Sequence, residues 1–265
     1  MDSDVIMSAT AGAAVGESIL DADYWRAFAP TIEPADILAW VSKAVEKPHL
    51  SVKSEVAAGI ALRARFEGRL GLAGVIHWGK IPIAFPVVKG GRVLEVEIIE
   101  VISDGCGMEG WVIGESEGVR FGFYDVLHST GMSDNRPGKS QSFVVNALAL
   151  SLKRVKPLSH PRDPDGDLLP FSLSNLRTYL PRKTGNPDRG VFQSPIDGIP
   201  EGVWYDGREF QCLPVSLGDE DGVRVTIDLF VGRELAESLG SPFHAGDELA
   251  GVIWLQGYAA DRLAF

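Results

Sequence analysis

The stretch GVRFGFYD, residues 118–125, alternates strictly: Val119, Phe121 and Phe123 fall on one side, Arg120 and Tyr124 on the other. GVRVTIDLF repeats the pattern, with Val223, Val225, Ile227 and Leu229 opposite Arg224, Thr226 and Asp228. A period of two predicts antiparallel strands with one face in a core. RVLEVEII, GWVIGE, FVVNALALSL, REFQCLPVSL and ELAGVIWLQGY read the same way. Earlier in the chain the period is different. In TIEPADILAWVSKAVEK, the residues Ile37, Leu38, Val41, Ala44 and Val45 line one face of a 3.6-residue helix, with Thr31 as its cap and Pro34 in its first turn. Just before it, Tyr24, Trp25 and Phe28 sit at helical spacing and predict an aromatic face docked on a core. SVKSEVAAGIALRARF reads helical at first and extended after Gly59.

These patterns divide the chain. Residues 1–18 are expected to be a loose tail, 19–65 a helical segment, 66–156 a first β unit and 191–265 a second. Residues 157–190 hold prolines 157, 161, 164, 170, 181 and 187, which predicts a connector with one short helix at Leu173–Leu180. IGESEGVRF (113–121) matches LGDEDGVRV (217–225) in glycine placement and charge, at an offset of 104 residues. Gly138 and Gly246 open further similar stretches, at an offset of 108. The expectation is an internal repeat of two β units.

The second unit reads strand, strand, strand, helix, strand: VFQSPIDGI, REFQCLPVSL, GVRVTIDLF, GRELAESLG, ELAGVIWLQGY. This order resembles the OB-fold, a five-stranded small barrel. The resemblance implies a mainly β protein made of two small antiparallel OB-like barrels behind an N-terminal helical segment. Each barrel then needs a fifth strand, which residues 191–265 do not supply for the second unit.

GESEG (114–118) also fits the nucleophile-elbow pattern around Ser116. An elbow joins a strand to a helix and points backbone amides at an oxyanion. Here strand patterns run in and out, two glutamates flank the serine, and the repeat partner of Ser116 is Glu220. GESEG therefore reads as a hairpin loop. RPGKS (136–140) lacks the first glycine of a phosphate loop, since Ser133 stands there. Asp163, Asp165 and Asp167 alternate like calcium ligands. Leu168 and Ser174 occupy the positions where the loop needs glycine and glutamate. His49, His77, His128, His160 and His244 have no metal-ligand spacing, and Cys106 and Cys212 form no C-x-x-C. No cofactor or metal is expected.

The net charge is −11 over 265 residues. Residues 192–265 hold 4 of the Lys/Arg and 13 of the Asp/Glu, so the acidity concentrates there. Such a surface repels phosphate backbones. Asp2 and Asp4 stand where a secretory leader carries positive charge, and no apolar run reaches the ~18 residues of a membrane span. A cytoplasmic protein with a protein partner and no membrane contact is the expectation.

Three functions follow, in order. The first is a non-catalytic binding or assembly protein, with Trp254, Gln256 and Tyr258 on one face of the last strand: a docking surface if that face is exposed, with Trp254 and Tyr258 as core the competing reading. The second is a single-stranded nucleic-acid binder, with Arg120, Tyr124, Arg136 and Lys139 as a basic and aromatic strip. The third is an enzyme whose site draws together Asp104, Cys106, Asp125 and His128. Binding of labelled single-stranded DNA and RNA across a salt series checks the second. A working strip gives affinity that falls steeply with salt, and no binding at low salt removes it.

Overall fold

The computed structural model describes residues 24–28, 33–132, 134–156, 175–182, 186–220, 222–240 and 242–262. The protein is mainly β. Among the described residues two helices come first, α1 (Tyr24–Phe28) and α2 (Pro34–Glu46). A four-stranded antiparallel meander follows, β1 (Leu50–Lys53), β2 (Ile60–Glu67), β3 (Leu70–His77) and β4 (Lys80–Val88). The chain then crosses into a ten-stranded mixed sheet. Its strands are β5 (Val93–Ser103), β6 (Gly110–Ser116), β7 (Val119–Asp125), β8 (Ser140–Arg154), β9 (Thr178–Pro181), β10 (Arg189–Pro195), β11 (Glu201–Tyr205), β12 (Arg208–Glu220), β13 (Val223–Gly232) and β14 (Glu248–Ala259). One short helix, α3 (Arg233–Ser238), separates the last two strands.

The strand patterns are realised as expected in β5 to β8 and β12 to β14, and α2 buries Ile37, Val41, Ala44 and Val45. Pro34 stands in the first turn of α2, whereas Thr31 lies outside the described residues. The helical stretch ends at Glu46; β1 (Leu50–Lys53) and β2 (Ile60–Glu67) follow, joined by a turn, and β2 turns Ile60, Leu62, Ala64 and Phe66 inward by alternation. Residues 178–181 form strand β9 in place of a helix, paired with β10. The tail at 1–18 and the acidic triplet Asp163, Asp165 and Asp167 lie outside the described residues.

The strand order of the large sheet is β11-β12-β13-β8-β5-β6-β7-β14-β10-β9, with β8 also paired to β14. The two expected units therefore do not appear as separately closed barrels. The reason is the length of β8 and β14. One edge of β8 carries β5 at residues 140–144 and β13, in parallel, at 146–148, while β14 pairs with residues 143–154. β14 in turn pairs with β10 and, in parallel, with β7.

Alternation splits the apolar residues between two cores. Phe121, Phe123, Phe143, Val145, Val225, Ile227, Leu229, Ile253 and Leu255 pack together on one side of the large sheet. Trp111, Tyr124, Val144, Leu148, Phe230, Trp254 and Tyr258 face the other way, onto the helices and the four-stranded sheet. α2 is tied to the large sheet through the β11–β12 turn. Trp40 Nε1 donates to Asp206 Oδ2 at 2.7 Å and Lys43 reaches Oδ1 at 2.8 Å.

A row of polar side chains crosses the junction between the sheets. Cross-strand register aligns Asp228 with Asn146, Asn146 with Gln256, and Gln256 with Tyr124. All four are buried. Gln256 accepts from Val88 N at 3.1 Å and donates to Pro86 O at 3.3 Å; Asn146 donates to Gly90 O at 3.0 Å. These amides satisfy main-chain groups of the crossing segment that would otherwise be buried without partners. Gln256→Leu removes a donor and an acceptor at once. It should cost about 2–4 kcal/mol of stability. Urea unfolding checks this, and a loss near zero would mean that water takes over both bonds.

Candidate functional site

β14 directs Trp254, Gln256 and Tyr258 to one face by alternation, and that face is closed to solvent: the three are 1–2% exposed. The expected docking surface is an internal interface instead. The cause is the N-terminal layer, which covers it. Tyr24 of α1 stacks on Trp254 with ring centroids 4.9 Å apart, and Tyr258 OH accepts from Gly90 N at 2.8 Å.

The basic and aromatic strip does not assemble. The Tyr124 ring is buried against Phe85, Trp111 and Trp254, while Arg120, four residues earlier on the same face of β7, is exposed and registered with Glu115. Arg136 and Lys139 both pair with Asp134, at 2.8 and 3.4 Å. A base stacked on Tyr124 has no route to that ring, and two of the three cations share one carboxylate.

The dispersed candidates meet only in part. Asp104 Oδ1 caps the β5–β6 turn by accepting from Met108 N and Glu109 N, and Oδ2 takes the Cys106 thiol at 2.7 Å. That hydrogen bond raises the Cys106 pKa, which keeps the sulfur a thiol and a weak nucleophile. His128 Nε2 lies 3.0 Å from Ser103 Oγ. Asp125 turns elsewhere, its oxygens accepting from Leu127 N and Asn135 Nδ2. Ser116 is buried at the end of β6, and the loop after it is a two-residue hairpin turn. Glu117 and Gly118 have φ of 46° and 75°, the turn geometry that glycine eases. Among the described residues, no group of three or more His, Cys, Asp or Glu is placed to hold a metal ion.

Two features escape motif reading. The first is Asp188, just before β10 and 2% exposed. Its Oδ2 accepts from two indoles, Trp254 Nε1 at 2.7 Å and Trp111 Nε1 at 3.0 Å, while Oδ1 is buried with no hydrogen-bond partner. Burial pushes its pKa up to about 6, against the indole bonds and the Arg189 charge, which lower it. Glu109 nearby is raised too, by burial and by the charges of Asp104 and Asp188.

The second is a cavity of about 360 Å³ where the β2–β3 turn, the β4–β5 crossing and the β11–β12–β13 end of the large sheet meet. Its walls include Arg69, Arg92, Glu201, Cys212 and Asp228. Arg69 donates to Asp228 Oδ2 at 2.6 Å and to Cys212 Sγ at 3.4 Å, and its guanidinium lies 5.0 Å from the centre of the Phe230 ring. Burial and the Asp228 carboxylate raise the Cys212 pKa to about 12, so the thiol stays neutral. Arg92 is directed here by Gly90 and Gly91, with φ of 69° and 137°. A Cβ on Gly91 would lie 2.5 Å from Asn146 Oδ1, so the close approach requires glycine. This corner was not singled out by any motif; the Gly90-Gly91-Arg92 run is a local signal that could have drawn attention to it.

Comparison with protein-family models, curated proteins and solved structures finds no match to this chain.

The Asp188 arrangement predicts a stability slope. The folded-state pKa lies above that of an unfolded aspartate, so the folded protein binds more protons between pH ~4 and ~6. This contribution to stability is greatest below pH ~4 and is lost as the pH rises through about 6, a change of about 3 kcal/mol. Asp188→Asn keeps an acceptor for both indoles and removes the titration. Urea unfolding at a series of pH values should show a flatter profile in the variant; equal slopes in both proteins would assign the titration elsewhere.

Proposed function

We propose that the protein is a non-catalytic binding module built from two OB-like units that complete each other. In this reading β5, β6, β7 and β8 form the first unit, and β14 supplies the fifth strand that the sequence order lacked. β10, β12, β13 and β14 form the second, with β8 as its fifth. The pairings support it: β5–β8 and β10–β14 are antiparallel, β7–β14 and β13–β8 are parallel, and an isolated bridge joins Ile196 to Val215 between β10 and β12. Local hydrogen bonds repeat as well. Gly138 N donates to Ile98 O and Ile98 N to Lys139 O; Gly246 N donates to Ile196 O and Ile196 N to Asp247 O. All four lie between 2.7 and 3.0 Å.

The observation that carries the binding reading is the cavity at the sheet junction. It combines a fixed guanidinium, a half-exposed one and an exposed carboxylate in a concave setting, which is how small-ligand sites are built. The other polar clusters are consumed in joining segments of the chain to one another. A ligand present at ~100 times its Kd stabilises its protein by about 2.7 kcal/mol. A thermal-shift screen of amino acids, carboxylates, phosphomonoesters and amines should therefore give hits. Those hits should vanish in Ile199→Trp, a change at a rim position that is 82% exposed and outside the core. A screen without hits, or hits indifferent to Ile199→Trp, would move the site away from this cavity.

A further inference from the structure

We propose that the junction cavity takes a small zwitterion, one carboxylate and one ammonium on a short aliphatic body of amino-acid or dipeptide size. This rests on reading the cavity as a ligand site. Four charged side chains line the cavity: Arg69, Arg92, Glu201 and Asp228. Arg69 and Asp228 satisfy each other at 2.6 Å, and Arg69 is held further by Cys212 and the Phe230 ring. They form a rigid floor whose charges cancel.

Arg92 and Glu201 are left. The Arg92 side chain is 52% exposed, and its Nε stands 3.7 Å from Asp228 Oδ1, too far for a hydrogen bond. Asp228 is already bonded to Arg69, so the planar donor fork of Arg92 keeps unused capacity for a carboxylate. Glu201 begins the edge strand β11 and is registered opposite Cys212. No described side chain forms an ion pair with Glu201. A simple anion would meet Glu201 as repulsion, and a simple cation would meet Arg92. A ligand with both charges uses both groups and leaves the cavity neutral. Ile199 and Pro214 add apolar surface to the lining, and Ile199 is the most exposed large apolar side chain of the described residues. An aliphatic side chain resting on Ile199 would remove that surface from water. The volume stands at the small end for ligand sites, in keeping with a ligand of one or two residues.

Titration calorimetry on the full chain tests this with four probes: leucine, the dipeptide Ala-Leu, leucinamide, which lacks the carboxylate, and 4-methylpentanoate, which lacks the ammonium. The expected result is saturable binding of leucine or Ala-Leu, with each single-charge probe about tenfold weaker or worse. Two exposed-site variants separate the roles. Arg92→Gln should weaken leucine and 4-methylpentanoate while sparing leucinamide, and Glu201→Gln should do the reverse. Absence of saturation with leucine and Ala-Leu overturns the proposal, as does unchanged affinity in both variants. If 4-methylpentanoate binds as well as leucine, the zwitterion falls while the cavity remains a ligand site. If no compound of the thermal-shift screen binds either, the binding reading falls with it.

Discussion

Asn146 and Gln256 face each other across the β8–β14 pair, and their amides hold the main chain as it leaves one sheet for the other. The rest of the molecule depends on that grip. The segment from Pro86 to Gly91 passes through a buried junction, where an N–H or C=O without a partner costs more than most side-chain contacts return. With the crossing held, the four-stranded sheet and the helices lie over Trp254, Tyr124 and Trp111. Gly90 and Gly91 then turn Arg92 over Asp228. The aromatic interface and the cavity are both consequences of the same polar row.

That row ends differently on its two sides. At one end Tyr124 closes into a dry aromatic layer, where the Asp188 carboxylate serves as common acceptor for Trp111 and Trp254. Loss of hydration there outweighs the indole bonds and the Arg189 charge, so the carboxylate carries a raised pKa. At the other end Asp228 meets Arg69, and the pair is stabilised by opposite charge while remaining partly open to water. The first end joins segments; the second leaves room and unspent charge. This difference places the proposed ligand site at the Asp228 end, while the aromatic residues that drew attention in the sequence sit at the closed end.

Several features were legible from local pattern alone. The period-two stretches became β7, β13 and β14 because alternation forces one face inward whatever the partner strand is. The Ile37 to Val45 face of α2 follows from the same logic at helical period. GESEG was recognisable as a turn, since glycine after a strand pattern and before another one suits positive φ.

The sequence by itself determined which residues alternate, which faces are apolar and where the chain turns, because those depend on neighbours within a few positions. It did not determine which apolar face meets water. Trp254, Gln256 and Tyr258 share a face by local geometry, but that face is closed only because α1 and β4, well over a hundred residues earlier, cover it. The long strands β8 and β14 likewise gained partners on both edges that no local pattern encodes. Arg69, Arg92, Glu201 and Asp228 lie in four separate segments of the chain, and the raised pKa of Asp188 exists only once folding removes its carboxylate from water. Charge pairing and desolvation act through space, so only the tertiary structure decided them.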